Sequence, residues 1–290
     1  MKRDLEKGRI KEEKIAEILS RIHPTTDYAT LAEVSIVVEA VFEDRDVKAE
    51  VYRKAAEFMS KDAVMASNTS ALPISGLATT YFEPTQFIGL HFFSPVERMP
   101  LVEIIKGEKT SPATLAYAMD FVGQLRKTPI FVNDSRGFFT SRFFGAMINE
   151  GVTMVSEGVS PALVEQAAKS AGMAIGPLAV SDEVGLDLAH HAGQQAKKDL
   201  GPDYKPGSSL AVITTLVEGH ERFGRKNGKG FYEYAADGGK SIWPGLHSIW
   251  KLKEESAQPS LAEVKERLLF SQLVDAAKCF SEKVIDHPAD

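Results

Sequence analysis

Two apolar runs, Gly89-Leu90-His91-Phe92-Phe93-Ser94-Pro95 and Leu101-Val102-Glu103-Ile104-Ile105, each place one titratable side chain inside a strand-like stretch. A histidine and a carboxylate in such runs must each find a polar partner or carry a steep desolvation cost. The simplest solution is that they pair, which sets the two runs side by side. An imidazole at a strand end, oriented by a carboxylate from the neighbouring strand, is a general acid/base. The same pattern also admits a core histidine satisfied by a structural partner.

The remaining chain follows a β-α-β rhythm and then abandons it. Met1 to Arg21 has helical spacing of Leu5, Ile10, Ile15, Ile18 and Leu19, and is predicted as one helix ending at His23-Pro24. Val34 to Val41 is a β-branched run suited to a buried parallel strand. An amphipathic helix over Asp46 to Met59, strands over Ala63 to Ala66 and Phe87 to Leu90, further strands over Val102 to Ile105 and Ile130 to Val132, and a helix over Pro112 to Leu125 complete an α/β region. After Asn133, helical patterns dominate: Gly137 to Glu157, Pro161 to Ala171, Ser181 to Leu200 and Ser208 to Glu221. Ala235 to Pro259, with Gly238-Gly239 and Pro244-Gly245, reads as an irregular connector, and Leu261 to Val284 as a last amphipathic helix.

Composition excludes several classes. With 290 residues and 43% hydrophobic side chains the chain can bury a sizeable core. No apolar stretch approaches the roughly 20 residues of a membrane helix, and the charged start, Met1-Lys2-Arg3-Asp4, is not a signal core; no membrane span and a cytoplasmic location are expected. The formal net charge of −6 argues against a nucleic-acid partner. Cys279 is the only cysteine, and the seven histidines lack paired ligand spacing, so no metal is assigned.

Several segments in order carry a family likeness: Val37-Val38-Glu39-Ala40-Val41, Ser67-Asn68-Thr69-Ser70, Gly89 to Pro95, Leu101 to Ile105, Asn133-Asp134-Ser135-Arg136-Gly137-Phe138-Phe139, and Phe223-Gly224-Arg225-Lys226-Asn227-Gly228-Lys229-Gly230-Phe231-Tyr232. Together they resemble the 3-hydroxyacyl-CoA dehydrogenase family, especially the dehydrogenase module of the multifunctional fatty-acid β-oxidation enzymes. The resemblance implies a Rossmann-like α/β domain over residues 1–133 lacking its first β-α-β unit, a helical C-terminal domain over 134–235, and a linker with the start of a second helical repeat over 236–290. It implies NAD as cofactor, an acyl-CoA substrate, and self-association as a homodimer or association with other β-oxidation modules.

By the same resemblance, His91 takes the hydroxyl proton as hydride leaves for NAD, Glu103 stabilises the imidazolium, and Ser70 bonds the reacting oxygen with Asn68 beside it. The residues alone offer another use for this loop, since Ser67, Thr69 or Ser70 can cap a short helix around Pro73 to Leu77. Ser94 and Ser141 stand where single-function members carry asparagine, and serine offers fewer bonds on a shorter arm; both are carried over as substrate contacts, Ser94 also as a cofactor contact. Ala40, Glu43, Lys48, Asn68, Ser70 and Lys226 match positions that approach NAD in the family, although Glu43 with Lys48 also fits an ordinary helix entrance and Lys226 a surface turn. No strand leads into Gly-x-Gly-x-x-Gly and a helix anywhere in the 290 residues. The expectation is therefore an incomplete module, its second repeat interrupted at Asp290, that binds NADH weakly and turns over little until a glycine-rich β-α-β unit is supplied. A non-catalytic assembly protein on this scaffold and a 3-hydroxybutyryl-CoA dehydrogenase are the alternatives.

Overall fold

The computed structural model describes residues 2–287 and divides into two compact units, Met1–Pro129 and Ile130–Asp290. Met1 and residues 288–290, which fall within the ranges predicted above, lie outside the described residues.

The first unit opens with α1 (Lys2–Glu6) and α2 (Glu12–Leu19). The single helix predicted for Met1 to Arg21 is thus two, because the chain turns at residues 7–10, where the Gly8 and Arg9 amides fold back onto the Leu5 and Asp4 carbonyls. β1 (Ile36–Glu39), α3 (Arg45–Ala56), β2 (Val64–Ser67), α4 (Ile74–Ala78), β3 (Phe87–Phe92), β4 (Leu101–Lys106) and α5 (Pro112–Gln124) follow. α3 starts where Asp44 accepts the Asp46 and Val47 amides at 2.9 and 3.0 Å, and α5 where Ser111 accepts the Thr114 amide ahead of Pro112.

β1, β2 and β3 are parallel, with Glu39 level with Ser67 and Ser67 level with Gly89. β4 runs antiparallel to β3. The parallel rhythm breaks there because the loop over residues 93–100 is too short for a crossover helix. Gly89 makes this pairing possible: a Cβ at that position would lie 2.8 Å from Ile105 and from Ile74. The core between sheet and helices is formed by Met65, Ile74, Ile88, Leu90 and Ile104, with Tyr52 edge-on to Phe87 at 5.1 Å between ring centres. β5 (Thr128–Asn133) is last in the strand order β1-β2-β3-β4-β5 and carries the chain across the unit boundary.

The second unit contains α6 (Thr140–Ser156), α7 (Pro161–Ser170), α8 (Pro177–Val184), α9 (Leu186–Leu200), α10 (Ser208–His220), β6 (Tyr232–Tyr234), β7 (Lys240–Ile242), α11 (Leu246–Ile249) and α12 (Leu261–Ser281). The helix predicted over Ser181 to Leu200 is interrupted at Gly185, whose φ of 103° few other residues adopt. The predicted connector over Ala235 to Pro259 is more regular than expected: β6 and β7 pair as an antiparallel hairpin, and Trp243 and Leu246 join the core under α6 and α10. α12 opens with a Ser260–Glu263 capping box and buries Val264 and Leu268 against Met147 and Met154 of α6 and Val164 of α7. Arg267 of α12 grips Glu157 with two bonds of 2.5 and 2.7 Å. Residues 236–287 therefore pack within the same unit as 130–235.

Among the described residues no helix is long and apolar enough to cross a membrane, and no group of three His, Cys, Asp or Glu side chains is arranged to hold a metal.

Candidate active site

The antiparallel register sets His91 of β3 directly opposite Glu103 of β4, so both side chains leave the same face of the sheet. His91 Nδ1 lies 2.7 Å from Glu103 Oε2. The carboxylate is fully buried, and His91 is 6% exposed. A buried carboxylate at this distance makes Nδ1 the protonated nitrogen of the neutral ring and leaves the proton-accepting lone pair on Nε2. The Phe93 ring packs on the imidazole with centres 4.5 Å apart.

A second polar cluster lies at the carboxyl ends of β1 and β2, the usual place for ligands of an open α/β sheet. Glu39 is 3% exposed. Its Oε1 accepts from Lys48 Nζ at 2.8 Å and from the Val41 amide at 2.7 Å; its Oε2 accepts the Tyr52 and Ser67 hydroxyls, each at 2.7 Å. Burial alone would raise the Glu39 pKa, but the bonds from Lys48, Tyr52 and Ser67 outweigh it and hold the carboxyl below the usual range. Lys48 also reaches Glu43 Oε2 at 3.2 Å. Glu43 Oε1 in turn accepts the Thr69 hydroxyl at 2.5 Å and the Ser70 and Ala71 amides at 3.1 and 3.2 Å.

The loop after β2 is thereby fixed. The Asn68 amide donates to the Glu39 carbonyl at 2.8 Å, and Asn68 Oδ1 accepts the Phe92 amide at 2.9 Å, tying the loop to the residue after His91. Thr69 Oγ1 accepts the Leu72 amide and closes the turn, while Pro73 holds the N-cap position of α4. The side-chain cap predicted for this helix is thus replaced by a turn ahead of it.

Of the residues singled out from the sequence, Ala40, Glu43, Lys48, Asn68, Ser70, His91, Ser94 and Glu103 all belong to the first unit. Ala40, Ser70 and Ser94 are exposed just beyond the carboxyl ends of β1, β2 and β3. Lys48 is not: at 1% exposure its ammonium is enclosed by protein. Ser141, in the first turn of α6, and Lys226 belong to the second unit, where Lys226 forms an ion pair with Asp187. Tyr52 and Ser67 were not singled out as site residues. Tyr52 follows Lys48 by four positions on α3, and that spacing on the inward face of the helix after β1 is the signal that marks it.

Ala40, Ser70 and Ser94 on adjacent strand ends, with the Glu43 carboxylate shaping the loop between them, suit the nicotinamide half of a dinucleotide; the buried Lys48 does not suit direct contact.

Residues 1–135 match the profile of the 3-hydroxyacyl-CoA dehydrogenase NAD-binding domain, and residues 137–234 that of the 3-hydroxyacyl-CoA dehydrogenase C-terminal domain. The chain is 36% identical over 276 residues to the fatty acid oxidation complex subunit alpha of Shewanella amazonensis, covering 94% of this chain and 38% of that protein's length. It is 34% identical to (S)-3-hydroxybutyryl-CoA dehydrogenase from Ralstonia eutropha, with a TM-score of 0.73 over 81% of this chain and 82% of that one. It shares the fold of 3-hydroxybutyryl-CoA dehydrogenase from Escherichia coli at a TM-score of 0.76 and 21% identity, over 98% of this chain and 76% of that one. The NAD-binding profile over residues 1–135 and the C-terminal profile over residues 137–234, with 34% identity to a solved relative over 82% of that chain, place this chain in the 3-hydroxyacyl-CoA dehydrogenase family.

Proposed function

We propose that the chain carries the hydride-transfer centre of an NAD-dependent 3-hydroxyacyl-CoA dehydrogenase of fatty-acid β-oxidation. The His91–Glu103 pair, buried at 2.7 Å at the end of the sheet, is the observation that carries this reading. Oxidation of a carbinol requires loss of a hydride from carbon and of a proton from oxygen. NAD, when bound, accepts the hydride. His91 receives the hydroxyl proton at Nε2, and the Glu103 carboxylate on Nδ1 stabilises the imidazolium that forms. Ser70, exposed on the loop beside Asn68, is suited to donate to the reacting oxygen, and Ala40, Glu43, Asn68, Ser70 and Ser94 to line the nicotinamide half of the cofactor site. Ser94 and, in the second unit, Ser141 are assigned to substrate contacts, and Lys226 to a cofactor contact made from its ion pair with Asp187.

The domain assignment proposed with this function is an NAD-binding part over residues 1–133, a helical dehydrogenase part over 134–235, and the beginning of a second helical repeat over 236–290. Acyl-CoA is the proposed substrate, in the cytoplasm, with a homodimer or other β-oxidation modules as partners. A short acyl chain is the second reading, favoured by the 34% identity to a hydroxybutyryl-CoA enzyme over most of its length.

The test is NADH oxidation with acetoacetyl-CoA beside longer 3-oxoacyl-CoAs, in a chain with the glycine-rich β-α-β unit of a relative joined ahead of Met1. His91→Ala is expected to lower turnover about 100-fold or more with circular dichroism unchanged. Turnover within a factor of about two of the parent overturns the assignment of the base.

A further inference from the structure

The ammonium of Lys48 is buried and bonded to two carboxylates with different duties. Nζ has three protons, and three acceptors face it: Glu39 Oε1 at 2.8 Å, Glu43 Oε2 at 3.2 Å and the Val41 carbonyl at 3.5 Å. The Glu39 side needs a cation simply because a carboxylate is buried there. The Glu43 side does not, since the Glu43 side chain is 28% exposed and open to solvent.

What Glu43 gains from Lys48 is a fixed direction. With Oε2 on the ammonium, Oε1 points back at the loop and collects the Thr69 hydroxyl and the Ser70 and Ala71 amides. The near end of the same loop is tied to the other carboxylate's residue through the Asn68 amide on the Glu39 carbonyl, and Asn68 Oδ1 holds the Phe92 amide beside His91.

We propose that Lys48 is a positioning residue, whose ammonium clamps Glu43 against the Asn68–Ala71 loop and so fixes Ser70 and Asn68 relative to the strand that bears His91. The link to the reaction rests on the proposed function; the clamp itself does not. Without the ammonium, two carboxylates share the space it filled. Glu43, the more exposed of the two, turns to water; the Ser70 and Ala71 amides lose their bonds to it, and Ala71 keeps only the 3.4 Å bond to Thr69 Oγ1.

The experiment separates this role from plain charge neutralisation of Glu39. Amide hydrogen exchange and thermal unfolding are measured on the full chain for Lys48→Met, for Glu39→Gln/Lys48→Met and for Glu43→Ala. Lys48→Met is expected to be destabilised, because Glu39 is left buried without a cation. The double variant removes both charges and is expected to regain most of that stability.

In the double variant and in Glu43→Ala, exchange over residues 69–72 is expected to rise about tenfold or more while β2 and β3 keep the parent's protection. A double variant that recovers stability and shows parental exchange over the loop overturns the clamp, as does Glu43→Ala with an unchanged loop. Neither readout requires cofactor or substrate, so failure of the clamp is distinct from failure of the dehydrogenase reading, which the His91 variant decides.

Discussion

Glu39 and Glu103 are both glutamates on strands of one sheet, both buried, and both bonded to a basic side chain, yet they differ in what that partner can do. Glu39 pairs with a lysine and fills its remaining acceptor sites with the Tyr52 and Ser67 hydroxyls and the Val41 amide. Its charge is consumed in holding β1, β2 and α3 together. Glu103 pairs with an imidazole, a group whose second ring nitrogen can take up a proton and leave the ring charged. Burial of a carboxylate is therefore not a functional signal by itself. The chemistry of the partner decides.

The largest effect expected from this contrast is on stability. Glu39→Ala leaves Lys48 buried with only the distant side of its ion chain and is expected to cost about 3 kcal/mol in a denaturant titration. A loss below about 1 kcal/mol would mean that the cluster around Glu39 is not the structural member of the two.

A third buried carboxylate sharpens the comparison through its pH dependence. Asp182 of α8 accepts the Phe231 and Tyr232 amides at 2.7 and 2.9 Å and the Tyr234 hydroxyl at 3.1 Å, which hold the β6 hairpin in place. Burial pushes its pKa up from 3.8 to about 6, against the lowering effect of those bonds. A raised carboxyl pKa favours the protonated fold, so this contribution is complete below pH 3.8 and lost as pH rises through about 6. Glu39, held below the usual range, has the opposite sign: its contribution is present above about pH 4 and lost in more acid solution. Asp182→Asn is expected to remove a loss on the order of 2–3 kcal/mol between pH 4 and 6; a parent whose stability is flat or rising over that window, unchanged by the variant, would contradict the assignment.

The smallest effect is expected at Ser141. Loss of one neutral hydrogen bond to substrate in Ser141→Ala should reduce kcat/KM by the equivalent of about 0.5–1.5 kcal/mol. A loss above about a hundredfold would assign Ser141 a larger part than a single neutral bond supplies.

The pairing of His91 with Glu103 is legible in the sequence because each is the lone titratable group in an apolar run, and a strand alternates faces with period two. The β-branched run around Val37 and Val38 is equally local. What escaped is what depends on packing at a distance. The direction of β4 follows from the length of the loop before it, and the break at Gly185 depends on a single backbone angle inside an otherwise continuous helical pattern. The position of Lys48 is the clearest instance. Its sequence suits an exposed helix entrance, and only the meeting of Glu39, Glu43 and Tyr52 turns it inward. Lys226 matches the cofactor-approach position in sequence, whereas its partner Asp187 lies on another helix and is visible only in the fold.

Glu103→Gln tests the central contrast most directly, because it preserves shape and a hydrogen-bonding oxygen while removing the charge that stabilises imidazolium. In the chain extended with a glycine-rich unit, steady-state turnover of acetoacetyl-CoA at saturating NADH is expected to fall at least about tenfold, with unfolding stability changed by less than about 1 kcal/mol. Unchanged turnover accompanied by a large loss of stability would contradict the account and make Glu103 a structural carboxylate like Glu39.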